Sequence, residues 1–360
     1  MEEKRKRLLE PLRMGDWDLP NRLIMAPLTR CRASAGRVPN ALMAEYYAQR
    51  ASAGLIISEA TAVTPMGVGY PDTPGIWSKE QVEGWKLVTQ AVHEAGGRII
   101  CQLWHVGRIS DPFYLDGATP VAPSAVRPEG YVSIIRPKKR FVTPRALDLD
   151  EIPGVVEAYR KGAENARLAG FDGVELHGAN GYLLDQFLRD CTNKRTDEYG
   201  GPIENRARLM LETVDAAISV WGAGKVGLHI SPRNEGQDYM DSTSLETYGY
   251  VAREAGKRGI AFLFARESLE EPRLGPELKA AFGGAFIANQ GLSLAQGEAL
   301  LEAGEADAIS WGQLYIANPD MVRRHELDAP LNEPDPSTFG ANAEGSARGY
   351  TDYPTLEERR

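Results

Sequence analysis

The stretch Gly173-Val174-Glu175-Leu176-His177-Gly178-Ala179-Asn180-Gly181-Tyr182 opens as a short apolar run and breaks into a loop of small residues carrying His, Asn and Tyr. The run is too short for a helix, and the glycines after it mark a turn. Seven more runs of this kind lie along the chain: Arg22–Pro27, Leu55–Ser58, Arg98–Leu103, Val226–Ile230, Ile260–Phe264, Ala285–Ala288 and Ala308–Trp311. Amphipathic stretches separate most of them. The pattern predicts helices over 40–52, with Asn40 as N-cap, and from Ser78 to Ala95, where Ser78-Lys79-Glu80-Gln81 spells a capping box. Further helices are expected near 151–169, 203–221, 244–258, 274–282, 293–303 and 318–325. Strand and helix alternating eight times predict an α/β fold, a (β/α)8 TIM barrel. A doubly wound sheet is the alternative, but it usually has fewer strands and a Gly-rich first turn, which this chain lacks.

A plain barrel takes roughly 250 residues, so 360 residues read as one barrel domain with additions. The longest gap between strands gives a capping insertion over approximately 104–150. It carries Pro120, Pro123, Pro128, Pro137 and Pro144, with a possible hairpin across Tyr131–Val142. A Pro-, Asn- and Gly-rich tail runs over 330–360. The net charge of −9 lacks a long basic stripe, which argues against nucleic acid as a partner. The cluster Lys4-Arg5-Lys6-Arg7 reads as a solvated helix or frayed end. No apolar run is long enough to span a membrane, and the N-terminus has no signal-peptide core. Cys31, Cys101 and Cys191 are odd in number and far apart, which suggests neither a disulfide framework nor a metal site and fits the reducing cytoplasm.

In such a barrel the chemistry sits just beyond the C-terminal ends of the strands. There lie Thr29, Glu59-Ala60, Gln102 with Trp104-His105, His177 with Asn180 and Tyr182, Ser231-Pro232-Arg233, Arg266-Glu267, Asn289-Gln290-Gly291 and Gly312-Gln313. Dinucleotide-binding, P-loop, serine-hydrolase and zinc-protease motifs are absent. Backbone N–H groups at 289–291 and 311–313 are placed for a phosphate, a weak signal alone. His177 and Asn180 offer two donors to one acceptor such as a carbonyl oxygen, and Tyr182 offers a proton. Singly, each has a bland explanation: a satisfied loop His, a capping Asn, a packed Tyr. Together at one strand end they favour function. Glu59 reads as an acid/base or as a partner for an Arg, and Cys31 as an ordinary loop thiol.

Several long motifs resemble the old yellow enzyme family: Pro27-Leu28-Thr29-Arg30, Tyr46 through Ala60, Gln102 through Arg108, Glu175 through Leu184, Arg195 through Gly201, Glu204-Asn205-Arg206, Ile316 through Asp320 and Gly349 through Pro354. They run in order over nearly the whole chain and look closest to the bacterial xenobiotic or N-ethylmaleimide reductase type. The resemblance implies FMN as cofactor and NADPH or NADH as hydride donor. It implies small electron-poor alkenes as substrates and a monomer or homodimer. It assigns Pro27, Leu28, Thr29, Ala60 and Gln102 to the flavin, and His177 and Asn180 to the substrate oxygen. Tyr182 would be the proton donor, and Tyr70, Trp104 and Tyr350 would line the substrate space.

Two positions depart from the family pattern. His229 stands where most members carry an Arg against the flavin N1 and O2 edge. Gln313 follows Gly312 where most carry an Arg on the phosphate. Arg266 is therefore expected to replace the phosphate contact in part, alongside Asn289, Gln290 and Gly291. Three readings follow: an FMN ene-reductase, a flavin-bound isomerase or specialised biosynthetic enzyme, and a barrel that has lost FMN and acts as a binding protein.

Overall fold

The computed structural model describes residues 6–133, 135–233, 241–340 and 346–357. Eight parallel strands close into a barrel: β1 (Leu23–Met25), β2 (Leu55–Ile57), β3 (Ile99–Trp104), β4 (Val174–Gly178), β5 (Val226–Ile230), β6 (Phe262–Arg266), β7 (Phe286–Asn289) and β8 (Ala308–Trp311). Each pairs with the next, and β8 pairs with β1 through Ser310↔Ile24, which completes the ring. Helices α1 (Ala41–Ala48), α2 (Lys79–Glu94), α3 (Ile152–Leu168), α4 (Arg208–Trp221), α5 (Ser244–Lys257), α6 (Gly275–Phe282) and α7 (Leu294–Glu302) follow successive strands. Asn40 caps α1 through the Met43 N–H, and the Ser78–Gln81 capping box opens α2. The expected helix over 318–325 is replaced by two pieces, Gln313–Ala317 and Met321–Glu326. The break falls at Asn318-Pro319, since a residue before proline disfavours the helical region.

Side chains alternate in and out along each strand, so register decides what fills the barrel. Ile24, Leu55, Ile57, Ile100, Phe262, Phe264, Ile287 and Ala308 pack the interior with Met14, Trp17 and Leu19. The last three belong to an antiparallel pair, Leu12–Met14 with Trp17–Leu19, that plugs the base. The outward faces pack against the helices in a second, larger core.

Four strands run further than their apolar runs suggest. β3 reaches Trp104, β4 reaches Gly178, β6 reaches Arg266 and β7 reaches Asn289. Apolar residues mark only where the wall is dry, whereas the backbone ladder continues into the polar mouth. His177 thus sits on β4 itself, directly beside His229 of β5.

The capping insertion carries the antiparallel bridge Tyr131↔Arg140, reinforced by Val132 N–H to the Lys139 carbonyl at 2.8 Å. Residue 134, inside the expected hairpin, lies outside the described residues. The charged N-terminal cluster is not simply solvated. Lys6 donates to the His325 carbonyl at 2.6 Å and pairs with Asp328 at 2.7 Å, and Leu8 is fully buried. Lys4 and Arg5 lie outside the described residues. The tail returns to the start of the chain. Arg30 donates to the carbonyls of Phe339 and Gly349, Arg32 to those of Thr338 and Ser346, and Arg50 to that of Tyr350. No helix among the described residues is long and apolar enough to cross a membrane.

Candidate active site

The strand ends surround a cavity of about 400 Å³ at the C-terminal mouth of the barrel. Its walls include Pro27 and Leu28 after β1, Asn180 after β4, His229 of β5, Phe264 and Arg266 of β6, Asn289–Gly291 at the end of β7 and Gly312–Gln313 after β8. A Cβ on Gly312 would come within 2.7 Å of the tip of the Leu28 side chain, so the β1 loop packs closely over the β8 end.

Below the mouth three polar side chains are locked together. The amide nitrogen of Gln102 donates to Glu175 Oε2 at 2.6 Å and reaches His229 Nδ1 at 3.2 Å. An amide N–H only donates, so Nδ1 accepts and the ring proton sits on Nε2. That Nε2 is buried and has no partner among the described residues, and His229 lines the cavity. Burial, with a smaller push from Arg266, lowers the His229 pKa to about 3, and burial lifts Glu175 to about 8. Their 3.7 Å approach is therefore no ion pair at neutral pH; a carboxylic acid lies beside a neutral imidazole.

His177 is 5% exposed, and its Nδ1 also lacks a partner among the described residues. Burial first, then His229 and Arg266, pull its pKa well below the usual imidazole value, so it is neutral. Its ring lies 5.1 Å from that of Tyr182 and 5.3 Å from that of His229. Tyr182 meets the Trp104 ring edge-on, and its hydroxyl lies 2.9 Å from that of Tyr70. Ala60 packs in the same apolar cluster as Trp104, with Tyr70 and Tyr182 against it.

Asn180 reaches the mouth through a left-handed turn, φ 59°, followed by Gly181 at φ 72°. Asn tolerates that region better than most residues. The Asn180 N–H donates to Ser231 Oγ at 2.7 Å, and the Gly181 N–H to Asp185 Oδ2 at 2.8 Å. Asp185 also accepts from the Tyr248 hydroxyl and pairs with Arg189, which holds the Ser231 carbonyl at 2.7 Å. A buried charged strut thus shapes the turn.

The structure brings together Pro27, Leu28, Asn180, His229, Arg266, Asn289, Gln290, Gly291, Gly312 and Gln313 around one cavity. Gln102 and His177 lie beside it, and Thr29 follows on from the β1 wall, half-buried. Tyr350 is placed apart: it is fully buried, stacked on Tyr46 at 4.0 Å, with the guanidiniums of Arg30 and Arg32 on its ring. Glu59 is buried too, held by the Arg30 N–H and the Tyr47 hydroxyl. Sequence reasoning gave no role to Phe264, Glu175 or the Asp185–Arg189 strut. The carboxylate inside the apolar run Val174-Glu175-Leu176 was the available signal.

A model of the NADH:flavin oxidoreductase / NADH oxidase family matches residues 7–332. The chain belongs to the old yellow enzyme family. The old yellow enzyme homologue from Zymomonas mobilis is 45% identical with a TM-score of 0.94, over 97% of this chain and 99% of that one. Morphinone reductase in complex with tetrahydroNAD is 48% identical with a TM-score of 0.93, over 97% of both chains. Among curated proteins, 12-oxophytodienoate reductase 1 of Oryza sativa subsp. japonica is 42% identical over 98% of this chain and 93% of its own. As an old yellow enzyme relative, the chain is an FMN-dependent NAD(P)H oxidoreductase. The residues present suit FMN: the cavity has a cofactor-sized volume, bare glycines line the β7 and β8 ends, and His229 Nε2 offers a buried donor that needs an acceptor.

Proposed function

We propose that this old yellow enzyme reduces activated carbon–carbon double bonds of small electron-poor molecules, such as enones, maleimides and nitroalkenes. Nitrate esters and nitroaromatics belong to the same electron-poor class. FMN, when bound, supplies the hydride that NADPH or NADH has delivered to it.

The chain's own residues supply the rest. His177 and Asn180 hold the carbonyl or nitro oxygen, on which negative charge develops. Donors aimed there stabilise the transition state more than the ground state. A neutral imidazole suits this task because it donates without demanding a counter-ion. Tyr182 delivers the proton to the α carbon, and Tyr70 and Trp104 frame the substrate. Pro27, Leu28, Thr29, Ala60 and Gln102 lie against the flavin.

One observation carries the reading: a buried, neutral His177 with an unpartnered nitrogen stands beside the Tyr182 phenol and the Trp104 ring. The buried thiols Cys31 and Cys101, which form no disulfide, suit a cytoplasmic enzyme. The purified protein is expected to be yellow and to bleach anaerobically with NADPH or NADH. Its colour should return on adding 2-cyclohexenone or N-ethylmaleimide. A colourless protein that FMN cannot reconstitute would defeat the reading. Bleaching that no electron-poor alkene reverses would point to a specialised substrate.

A further inference from the structure

Arg266 ends β6 with its guanidinium in the mouth. Its Nε donates to Gln290 Oε1 at 2.9 Å and its Nη1 to Asn180 Oδ1 at 2.9 Å. Both partners are neutral amides. An arginine carries five N–H groups, so three remain for another acceptor. Among the described residues, no carboxylate forms a salt bridge with it. The neighbouring Glu267 spends its oxygens on the N–H groups of Leu274 and Gly275, 2.8 Å each, and lies 3.8 Å from Arg233. Glu175 lies lower in the barrel, tied to Gln102. Desolvation depresses the Arg266 pKa, and the Tyr182 phenol opposes this with a smaller push upward.

A partly desolvated cation without a counter-ion is costly, and cavities that hold one are complementary to anions. This cation lines the same cavity as the unpartnered Nε2 of His229. Gln290, which holds one edge of the fork, adopts φ 114°, a conformation L residues seldom take. The fork is thus fixed from both sides of the mouth, between the ends of β4 and β7.

We propose that Arg266 is the anion-binding residue of this site, taking a phosphate or carboxylate oxygen from the molecule that fills the cavity. The anion has two sources: the phosphate of the flavin nucleotide, or a carboxylate on the alkene substrate. The proposal rests on the flavin reading above and sharpens it. An uncharged enone alone would leave the guanidinium unmet.

The test uses the full-length protein stripped of flavin, as wild type, Arg266→Gln and Arg266→Lys. Flavin fluorescence quenching gives the affinity for FMN and for riboflavin, which lacks the phosphate. If the phosphate is the partner, Arg266→Gln lowers the preference for FMN over riboflavin tenfold or more. Riboflavin affinity then holds, and Arg266→Lys restores part of the preference. In the second arm, the reconstituted enzymes are assayed with an α,β-unsaturated acid and with its methyl ester. If the substrate carboxylate is the partner, Arg266→Gln raises KM for the acid tenfold or more relative to the ester. Either result supports the proposal. Both ratios within twofold of wild type would overturn it. Wild-type protein that binds neither flavin defeats the flavin reading instead. Arg266 is then judged by whether inorganic phosphate raises the melting temperature of wild type and not of Arg266→Gln; an equal rise in both, or none in either, overturns the proposal.

Discussion

Replacing Ser231 with Ala removes one oxygen from a fully buried side chain just beyond β5. That oxygen accepts the Asn180 N–H at 2.7 Å. Leaving a buried donor unsatisfied costs about 1–3 kcal/mol. The left-handed turn at Asn180, φ 59°, adds strain of about 1 kcal/mol that the bond helps to hold. A loop that relaxes to escape both costs carries the Asn180 amide away from Arg266 and from the cavity. Each 1.36 kcal/mol lost from the transition state is tenfold in rate. The expected fall in kcat/KM for an enone is therefore about 5- to 150-fold, with the expression level and flavin content of wild type. Stopped-flow absorbance separates the two half-reactions. Flavin reoxidation by 2-cyclohexenone should carry the loss, and Ser231→Thr, which keeps the hydroxyl, should recover most of it. A Ser231→Ala protein with a lowered melting temperature and an unchanged reoxidation rate would refute the reasoning. The hydroxyl would then support the fold and not the position of Asn180.

Tyr182→Phe removes the proposed proton donor and should slow flavin reoxidation by alkene by about 10²–10⁴-fold, leaving bleaching by NADPH or NADH within a few-fold; equal slowing of both steps would reassign Tyr182 to packing. Glu175 keeps its proton up to about pH 8 in the folded chain, against an ordinary 4.5, so the folded state holds a proton that the unfolded state has lost. Its contribution to stability is fully present below pH 4.5 and drains away as pH rises through 8. Glu175→Gln should therefore gain melting temperature relative to wild type from pH 5 to pH 8.5, and a pH-independent difference would contradict this. Arg50→Met leaves the buried carbonyls of Tyr46, Tyr315, Ile316 and Tyr350 without their shared donor. It should cost at least about 3 kcal/mol in chemical denaturation, and a loss below about 1 kcal/mol would show that water replaces the guanidinium.

The eightfold alternation was readable because each strand needs a dry run to pack the barrel, and Val226–Ile230 and Ala308–Trp311 appear with the bounds their apolar residues suggest. Strand ends were harder. Hydropathy stops at Leu176, but the ladder carries on to Gly178, because backbone pairing is indifferent to whether the side chain faces oil or a polar mouth. The cluster His177, Asn180 and Tyr182 was legible because three polar residues share a short loop. Its support was not. Ser231, Asp185 and Arg189 meet only after β4 and β5 are laid side by side. Arg266 stood out as a charge at a strand end, yet its span from Gln290 to Asn180 depends on side-chain reach that no spacing encodes. Tyr350 lies far along the chain from its stacking partner Tyr46, a contact without local pattern.

The arginines that grip the tail have a further consequence for how the chain is made. Arg30 leaves the ribosome 319 residues before its acceptor Gly349. At 5–20 residues per second, that is a wait of roughly 15–60 s. Through that interval the nascent first β/α unit carries guanidiniums that it cannot bury alone, so the loop after β1, which walls the cavity, cannot settle. The stretch that carries Gly349 is then also the stretch that finishes the site. A product released early would keep most of its barrel, yet stay open where the flavin must lie.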